Sequence, residues 1–429
     1  MSYSPVISYM MDRISGFSTN SYRLQVLGSA TASANQIVRF ELPSNSIVDI
    51  RKFAMAFKLA VTGGEMTRLS DVNNIIERVS ITVGGTELSS GFSKYNVLHQ
   101  IKKCLMGEEG CVLTDHPEIA REKSYNTGVA YLAAAGEPAA DYRIDNWLSF
   151  LGECEPRCLD TSKFPPIQIS ITLASAQAVV VQAAASSTVT EFVSEPTTAN
   201  GDYILTDIYA TVPVLAFNDG LYDGMTEAIL QKQGFLEIPY KNYVNFSDVG
   251  SSVRWNCSSA SIDRIWSATR DVEHTTKKAP VLVEGYNSSY GKIFKFADEK
   301  FQSRYMNFPA PASTSGITSQ HTINSSLLPQ YLMSPMDAAL ITKQSVPRKY
   351  QNVHGLKTMT SNFNAACVRL NLEGSEQLRL ASGLDSRSIA LQGHLNFNGL
   401  NNQNTPLDVF VETTSVLRVG RNLMTEVVA

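Results

Sequence analysis

Four cysteines have the spacing in this sequence that comes nearest to a metal site. Cys104 and Cys111 enclose six residues, and Cys154 and Cys158 enclose three in the segment CEPRC. Structural zinc sites usually take their thiolates from CxxC pairs, so both spacings fit poorly. In a chain that stays inside a cell, free thiols are favoured over a disulfide framework. We therefore expect no metal site and no cofactor, and no role is assigned to these cysteines.

The other titratable residues form no catalytic motif. No two histidines form an HxH or HxxxH pair, and His99 is expected to face solvent or a neighbouring loop. Phosphate-binding loops and nucleophile elbows are also missing. A glycosidase can assemble two carboxylates from distant strands, so a polysaccharide hydrolase remains the enzyme alternative, but no enzyme is expected. The carboxylates that cluster in sequence are better explained as turn and helix-start residues: Glu108-Glu109, Asp219/Asp223 and Asp298-Glu299.

A carbohydrate-binding platform needs exposed aromatic rings clustered on loops. Tyr286, Tyr290 and Tyr305 are the only loose group of that kind. Many of the other rings lie inside predicted strands, where they indicate core filling. Examples are Phe53, Phe57, Trp255 and Phe410. A two-domain β-sandwich that binds carbohydrate or a receptor is the alternative that these residues leave open.

The bulk composition favours two domains and contacts with other proteins. A chain of 429 residues is too long for one ordinary core. Charged residues are 18% of the chain, and interface centres are depleted in charge. The net charge is -4, and the densest basic clusters are Lys102-Lys103 and Lys277-Lys278. Because coating a nucleic acid requires many clustered Lys and Arg residues, no direct nucleic-acid binding is expected.

The N-terminal residues MSYSPVISYMMDRISGF do not resemble a signal peptide. They have no basic n-region, and Asp12 and Arg13 interrupt the apolar run. No stretch approaches the length of about 18 apolar residues that indicates a membrane-spanning helix. We therefore expect a protein made inside a cell without the secretory route. Residues 5–14 are apolar enough to favour a contact arm that reaches a neighbouring subunit or a membrane.

Short β-runs separated by Gly, Pro, Asn and Ser dominate the pattern, which predicts β-sandwiches or barrels. The predicted strands are 36–42, 48–61, 75–83, 167–173, 205–217, 235–246, 252–258, 292–297, 365–373, 389–397 and 407–419. The predicted helices are 94–106, 219–233 and 334–343, the last with Ser334 as N-cap and Pro335 at N1. Residues 130–142 and 174–200 are predicted surface loops.

Two of the predicted strands are similar at a constant offset of 202 residues: LTDIYATVPVLAF at 205–217 and LDVFVETTSVLRV at 407–419. Weaker echoes pair 40–43 with 236–239 and 76–79 with 262–265 in the same order, which predicts an internal duplication. The first copy has apolar residues at both odd and even positions, so it should be covered on both faces of the strand. The second copy should keep Asp408, Glu412 and Arg418 on an exposed or subunit-facing side.

The sequence resembles a family of viral proteins in the order of its strand motifs. These are FELPSNSIVDIRKFAMAFKL, IIERVSITVGGTELSSGFSKYNVLH, LTDIYATVPVLAF, GFLEIPYKNYVNF, SIDRIWSATRD, HTINSSLLPQYLMSPMDAAL and LDVFVETTSVLRVG. They are similar to the double jelly-roll major capsid proteins of polinton-like viruses, within the PRD1–adenovirus lineage. The resemblance covers roughly residues 20 to 425. It implies an all-β chain of two tandem eight-stranded jelly rolls (β-sandwiches) with a few short helices.

The resemblance also implies a domain plan and a function. Residues 1–20 would be an N-terminal contact arm, 21–217 the first jelly roll, 218–234 a connecting helix and 235–429 the second jelly roll. Residues 84–145 and 174–200 would be tower or intersubunit loops. The chain would assemble as a pseudo-hexagonal homotrimer that tiles an icosahedral shell in the virion. Its partners would be copies of itself, minor capsid or penton proteins, and an internal membrane reached by the arm.

Overall fold

The computed structural model describes residues 18–63, 66–69, 72–89, 92–106, 140–183, 200–216, 220–277, 280–282, 301–306, 308, 316–346, 364–372, 383–387, 391–400 and 404–428. Antiparallel strands dominate this part of the chain. Strand pairing divides them into two groups, one before residue 217 and one after residue 234. Within the described ranges, the backbone pairing that links the groups is a single bridge between Cys154 and Tyr240.

The first group contains β1 (Ser18–Gln25), β2 (Ala32–Ser33), β3 (Ile37–Glu41), β4 (Ile47–Asp49), β5 (Ala54–Thr62), β6 (Met66–Leu69), β7 (Ile76–Val83), β8 (Thr86–Glu87), β9 (Ala140–Ile144), β10 (Cys158–Asp160), β11 (Ile167–Leu173), β12 (Val180–Ala183) and β13 (Asp202–Ala216). The second contains β14 (Phe235–Val249), β15 (Ser252–Trp255), β16 (Ile262–Thr269), β17 (Pro280–Leu282), β18 (Phe301–Ser303), β19 (Thr318–Ile323), β20 (Ser326–Met333), β21 (Ala365–Arg369), β22 (Gly393–Asn398), β23 (Pro406–Gly420) and β24 (Thr425–Val428).

Helices are short and lie between strands. They are α1 (Tyr95–Met106), α2 (Phe150–Glu153), α3 (Ala176–Val179), α4 (Gly220–Gln233) and α5 (Pro335–Ser345). Single 3-10 turns occur at Ile50–Lys52, Val72–Ile75, Thr161–Lys163 and Arg304–Met306. The start of α5 agrees with the sequence prediction, because Ser334 and Asp337 form a reciprocal capping box and Pro335 opens the helix.

Both groups have the same sheet order. In the first, one sheet runs β1/β2-β13-β5-β9 and the facing sheet runs β3-β11-β7-β8. In the second, the corresponding sheets run β14-β23-β16-β21 and β15-β22-β19-β20. Eight principal strands of each group take part in these sheets and are numbered 1 to 8 along the chain. They are β1, β3, β5, β7, β8, β9, β11 and β13 in the first group and β14, β15, β16, β19, β20, β21, β22 and β23 in the second. In both groups the two sheets have the order 1-8-3-6 and 2-7-4-5. Two antiparallel sheets with this Greek-key order form a jelly roll, so the predicted all-β fold of two tandem jelly rolls is confirmed.

Period-two patterns in the sequence explain the sheets. In β11, Ile167, Ile169, Ile171 and Leu173 are buried while the residues between them are more exposed. In β7, Val79, Ile81 and Val83 are buried in the same way, on the strand face that points into the core. Such alternation buries one face of a strand and leaves the other toward solvent or a loop. Four aromatic residues that were predicted to fill the core are buried: Phe53, Phe57, Trp255 and Phe410.

The duplication prediction is confirmed in one pair and wrong in two. β13 and β23 are both the eighth strand of their jelly roll. Residues 40–43, however, lie at the end of a second strand, whereas 236–239 lie in a first strand. Residues 76–79 begin a fourth strand, and 262–265 begin a third. Short alternating strands resemble one another wherever they occur, so local similarity did not specify position in the sheet.

Several predicted boundaries also differ. The run 48–61 is divided by a 3-10 turn into β4 and β5, and the predicted loop 174–200 includes α3 and β12. The predicted loop 130–142 ends in β9, an edge strand of the first jelly roll, so 84–145 is only partly a loop region. β1 begins at Ser18, inside the predicted arm. The predicted strand 292–297 and residues 1–17 lie outside the described residues.

The burial predicted for the two closing strands is reversed. β13 alternates between buried and more exposed residues, whereas β23 is buried continuously from Leu407 to Ser415. The reason lies in a bulge between Thr206 and Tyr209, where Asp207 has a φ of 51°. A bulge changes which parity faces the core, so apolar residues occur at both parities although one face is buried. The strand that is buried on both faces is β23.

Candidate functional site: the buried interface between the two jelly rolls

β23 and its neighbour β16 have two buried faces because they lie between two apolar cores. Val409 and Val411 belong to the core of the second jelly roll, while Phe410 packs into the core of the first. β16 shows the same division, with Ile265 in the second core and Trp266 in the first. The sheet β14-β23-β16-β21 therefore packs against the first jelly roll with its outer face.

From the first jelly roll, α1 and α2 cover this sheet. The ring of Phe92, just before α1, lies 5.1 Å from the Tyr243 ring of β14. Phe150 of α2 meets the Tyr240 ring edge-on at 5.4 Å. Tyr240 also donates a hydrogen bond from its hydroxyl to the Leu88 carbonyl at 2.8 Å. Aromatic contacts of this kind bury large areas and fix the relative position of the packed elements.

A buried ion cluster lies at the centre of this interface. Lys102 of α1 lies 3.6 Å from the Glu412 carboxylate of β23 and 3.5 Å from Glu153 of α2. Its ammonium group also donates to the Tyr243 hydroxyl, which in turn donates to Glu153 at 2.6 Å. Because the Lys102–Glu412 ion pair and the Tyr243–Glu153 hydrogen bond both cross the interface, the cluster links α1, α2, β14 and β23.

Glu412 is fully enclosed by donors. Besides Lys102, it accepts hydrogen bonds from Arg264 Nη1 at 2.8 Å and Trp266 Nε1 at 2.8 Å. Burial alone would raise the pKa of Glu412, but the charges of Lys102 and Arg264 outweigh it and hold that pKa far below its usual value. A buried carboxylate is tolerated when its oxygens are paired in this way. Glu412 is thus a charged structural element of the interface.

A second buried ion cluster surrounds Asp408, which precedes Phe410 by two positions in β23 and lies on the same face of the strand. Lys94 approaches its carboxylate to 2.6 Å from the first jelly roll, and Arg270 of the second lies at 3.3 Å. Burial would raise the pKa of Asp408, yet Arg270 and Lys94 lower it overall. The Arg270 guanidinium also lies 4.1 Å from the centroid of the Tyr305 ring. Both carboxylates of β23 that face the first jelly roll are therefore paired across the interface.

The contact extends beyond these clusters. Glu155 donates its backbone N–H to the Pro239 carbonyl at 2.8 Å. On the C-terminal strand β24, Thr425 donates to the Val83 carbonyl at 3.2 Å and lies 2.9 Å from the Thr86 hydroxyl. The C-terminal hairpin therefore returns to the first jelly roll. Together these contacts join the two jelly rolls along a long face, which favours one rigid block over two mobile domains.

The residues considered from the sequence as metal ligands, acid/base pairs or a sugar platform are only partly covered by the described ranges. Cys154 is buried, with its thiol pKa raised to about 12 by burial, and Cys158 is half-buried. Cys111 and the carboxylates Glu108-Glu109, Asp219 and Asp298-Glu299 lie outside the described residues, as do Tyr286 and Tyr290. No group of three or more His, Cys, Asp or Glu residues with metal-ligand geometry occurs in the described ranges.

One prediction about exposure is corrected. His99 is 4% exposed and stacks on Tyr95, because α1 lies between the jelly rolls and its polar side is also covered. Tyr305 is 9% exposed, which agrees with packing in the core or in an interface and not with a surface platform. Sequence reasoning missed Lys94, Lys102 and Arg270 as interface residues. Their charge resembles that of any solvated strand end or helix face, so no local signal distinguishes them.

Asp408 and Glu412 were predicted to lie on an exposed or subunit-facing side of β23, and they are buried instead. Arg418 of the same strand is about one-third exposed and pairs with Glu237 at 3.0 Å. The polar face of β23 does meet another sandwich, but that sandwich belongs to the same chain. Among the residues whose structure is described, no helix has the length and apolar character needed to span a membrane.

Known structures show where this arrangement occurs, although no protein-family model and no curated protein matches the sequence. The crystal structure of PBCV-1 VP54, fitted into a reconstruction of the virophage Sputnik, aligns over 98% of both chains with a TM-score of 0.62 and 11% identity. A quasi-atomic model of the PBCV-1 virus capsid aligns over 98% of both chains, with a TM-score of 0.56 and 10% identity.

The Faustovirus major capsid protein aligns over 93% of this chain and 90% of its own, with a TM-score of 0.54 and 9% identity. At such identities the likeness concerns fold and not function. It spans nearly the whole chain, so it includes both jelly rolls and the packing between them. The chain therefore has the double jelly-roll fold of these viral capsid proteins.

Proposed function

We propose that the chain is a major capsid protein, which self-assembles as a pseudo-hexagonal homotrimer and tiles an icosahedral viral shell. The observation that carries this proposal is the buried interface, which holds two jelly rolls of identical strand order as one block. Three such blocks around an axis present six sandwiches, and closed rotational symmetry of this kind is the rule for homo-oligomers. The structural likeness to VP54 and the Faustovirus protein supports the same function.

The domain plan is part of the proposal. The predicted arm, residues 1–20, ends where β1 begins at Ser18, so the residues before Ser18 act as the contact arm, the chain from β1 to 217 forms the first jelly roll, 218–234 connect, and 235–429 form the second. The connecting segment contains α4, which is fastened to the C-terminal hairpin by Glu227 and Arg421 at 2.7 Å. The proposed partners are neighbouring capsomers, minor capsid or penton proteins, and an internal membrane reached by the arm. The protein then resides in the virion and carries out no catalysis.

Native mass and electron microscopy test the proposal together. The expected result is a particle of three chains that forms hexagonal arrays or shells on concentration. A stable monomer that is retained on a glycan column would instead support the carbohydrate- or receptor-binding alternative. The burial of Tyr305 removes one of the three aromatic residues on which that alternative was based.

A further inference from the structure

The helix α5 exposes the residues that a helix of an isolated protein normally buries. Its inner face consists of Ala338, Ala339, Thr342 and Ser345, which are buried. Met336 and Leu340, one turn apart on another face, are 71% and 53% exposed. An amphipathic helix of a monomeric protein places its large apolar residues toward the core. The inverted arrangement indicates that the exposed face is covered by something else.

The position of α5 is fixed, so this exposure is not a matter of helix rotation. The Thr342 hydroxyl accepts a hydrogen bond from the Cys367 N–H of β21 at 2.9 Å, and the Ser345 hydroxyl accepts from the Arg369 N–H at 3.1 Å. Arg264 donates to the Ser345 carbonyl at 2.9 Å. These bonds hold the small-residue face against β21, which directs Met336 and Leu340 away from the second jelly roll.

The preceding strand also exposes large apolar side chains. β20 is the edge strand of the sheet β15-β22-β19-β20, and within the described residues only β19 pairs with it. The register shifts between Ser319 and His321 of β19, opposite the segment that carries Tyr331 and Leu332. These two side chains are 52% and 51% exposed, and Leu327 is 44% exposed. We call the exposed side chains of Leu327, Tyr331, Leu332, Met336 and Leu340 the β20–α5 face.

The β20–α5 face is also nearly free of charge. Between residues 316 and 346 the only Asp, Glu, Lys or Arg residues are Asp337 and Lys343. Asp337 accepts from the Ser334 N–H at 3.0 Å and the Ser334 hydroxyl at 2.7 Å, so its charge serves the helix cap. A charge-poor surface with exposed Met, Leu and Tyr residues has the composition of an interface centre. Its partner must be similarly poor in charge.

We propose that the β20–α5 face packs against the first jelly roll of a second copy of this chain, at the edge that carries β1. This inference rests on the proposed trimer and names the surface that holds it together. In a closed ring in which the six sandwiches alternate, the contact between neighbouring copies joins the second jelly roll of one copy to the first jelly roll of the next. The contact is heterologous, so the β20–α5 face requires a different, complementary surface on the first jelly roll.

The edge at β1 has the matching properties. β1 is exposed on both of its faces over nearly its whole length, and Tyr22 is 43% exposed. Arg23 is the single charged residue of β1, and its guanidinium lies 3.9 Å from the centroid of the Tyr209 ring in its own chain. Leu27, which follows this strand, is 50% exposed. The neighbouring strand β3 exposes Ile37 together with Arg39 and Glu41 on one face. β1 and Leu27 can therefore form the centre of a contact, with the charged residues of β3 at its polar rim.

A pair of matched substitutions tests the inference. Met336 and Met424 are 71% and 74% exposed, so Met336→Glu and Met424→Glu introduce the same charge at equal exposure in different places. We expect Met336→Glu, alone or with Leu340→Glu, to raise the protein concentration at which half of the chains are trimeric at least tenfold. Met424→Glu should leave that concentration within twofold. Sedimentation velocity over a dilution series measures it, with circular dichroism and thermal melting to verify folding.

A second measurement identifies the partner surface without depending on a charged variant. A photo-reactive phenylalanine analogue placed at Met336 should cross-link to residues 18–37 of a different copy. Mixing isotope-labelled and unlabelled chains before illumination distinguishes links between copies from links within one chain. If the Met336→Glu protein unfolds, this cross-link still decides the inference.

Each outcome has a definite meaning. A wild-type trimer whose dilution behaviour is unchanged by Met336→Glu and Leu340→Glu, or cross-links that fall elsewhere, overturns the inference and leaves the proposed function intact. A wild-type protein that is monomeric at every concentration overturns both. Binding of that monomer to neutral lipid vesicles through the β20–α5 face would identify a membrane as the occupant instead.

Discussion

The ammonium group of Lys102 in the first jelly roll lies 3.6 Å from the carboxylate of Glu412 in the second, and both side chains are more than nine-tenths buried. Charges in such a position are costly unless they are paired. Each charge also has a partner in its own jelly roll, Glu153 for Lys102 and Arg264 for Glu412, and correct docking of the two jelly rolls joins these two pairs into one cluster. The ring contacts of Phe92 with Tyr243 and of Phe150 with Tyr240 lie in the same interface and add apolar burial.

Removing one member of this pair should destabilise the whole block. Glu412→Gln removes the counter-charge of Arg264 and leaves Lys102 with Glu153 at 3.5 Å. Breaking a buried pair in this way costs about 3–5 kcal/mol. Lys102→Met should cost less, because Glu412 keeps Arg264 and Trp266. The double variant should be less destabilised than the sum of the single variants. Urea unfolding of all four proteins gives the coupling free energy between the two side chains.

The control is Arg421→Gln, which removes an exposed ion pair with Glu227 at 2.7 Å. Surface pairs contribute little, so its unfolding midpoint should be close to that of the wild type. If the Lys102 and Glu412 variants also unfold like the wild type, the pair has no role in holding the jelly rolls together.

Acid should weaken the interface through Asp408 and Glu412. Both have a pKa below the usual value in the folded protein, after burial is outweighed by Arg270 and Lys94 for Asp408 and by Lys102 and Arg264 for Glu412. An acid with a lowered folded-state pKa stabilises the fold above its unfolded pKa, and this contribution is lost as the pH falls toward the folded value. The free energy of unfolding should therefore decrease steadily below about pH 4.

Asp408→Asn isolates one part of that acid dependence. Its stability at pH 7 should be lower than that of the wild type, and its loss between pH 5 and pH 3 should be smaller. Urea titrations at several pH values provide the comparison. An unchanged slope with pH would show that the carboxylate of Asp408 is not a stabilising charge in the folded protein.

His321 should cause a separate loss of stability at mildly acidic pH. Its side chain is fully buried, and within the described part of the chain neither ring nitrogen has a hydrogen-bond partner. Burial lowers its pKa to about 4. The unfolded chain takes up this proton near pH 6.5 and the folded protein does not, so stability falls as the pH drops from about 6.5 to 4. The full difference corresponds to about 3 kcal/mol.

His321→Leu removes both the titration and the unpaired ring nitrogens. We expect a higher free energy of unfolding at pH 5 and a flatter dependence between pH 7 and pH 5. Thermal melts at the two pH values measure the effect. A variant with the same pH dependence as the wild type would assign the mild-acid loss to another group, of which His274, with a pKa lowered to about 4 by burial and Arg270, is the next candidate.

Gly393 of β22 should tolerate no side chain. A Cβ at this position would overlap the ring of Trp255, the residue of β15 that lies opposite Gly393 in the sheet. Gly393→Ala must displace the indole inside the second core, and overpacking of this kind costs about 1–3 kcal/mol. Gly420→Ala is the matched control, because the nearest atoms to its added Cβ are 3.8 Å and 3.9 Å away. Urea unfolding followed by tryptophan fluorescence compares the two variants, and equal midpoints would contradict the packing described here.

Elements with a one-sided pattern were predictable from the sequence. The sequence predicts β11 at 167–173, and the strand occupies those residues. The prediction succeeds because one face of the strand is in the core and the other is more exposed, so apolar and polar residues alternate along it. α5 was predicted from Ser334 and Pro335 for an equally local reason, because a helix cap involves residues three apart. The equivalence of β13 and β23 was also visible from the similar positions of Leu, Thr and Val along both strands.

Elements with two buried faces were predicted less well. In the sequence, Asp408 and Glu412 alternate with apolar residues as on a strand with one solvated face. Lys102 occupies a position that is typical of the exposed side of a helix. Each is buried because an element from the other jelly roll, far away in the chain, supplies its partner. A bulge at Asp207 also reversed the parity of β13, which made one buried face resemble two.

By itself, the sequence determined the strand content, the two-part organisation and the closing strand of each jelly roll, because these depend on local alternation and turn chemistry. Only the tertiary structure decided which faces meet. The docking of α1 and α2 on β23 depends on charge pairs such as Lys102 with Glu412, which lie 310 residues apart in the chain. A charge has the same identity in the sequence whether water or a buried partner satisfies it, so its role becomes visible when the two jelly rolls are brought together.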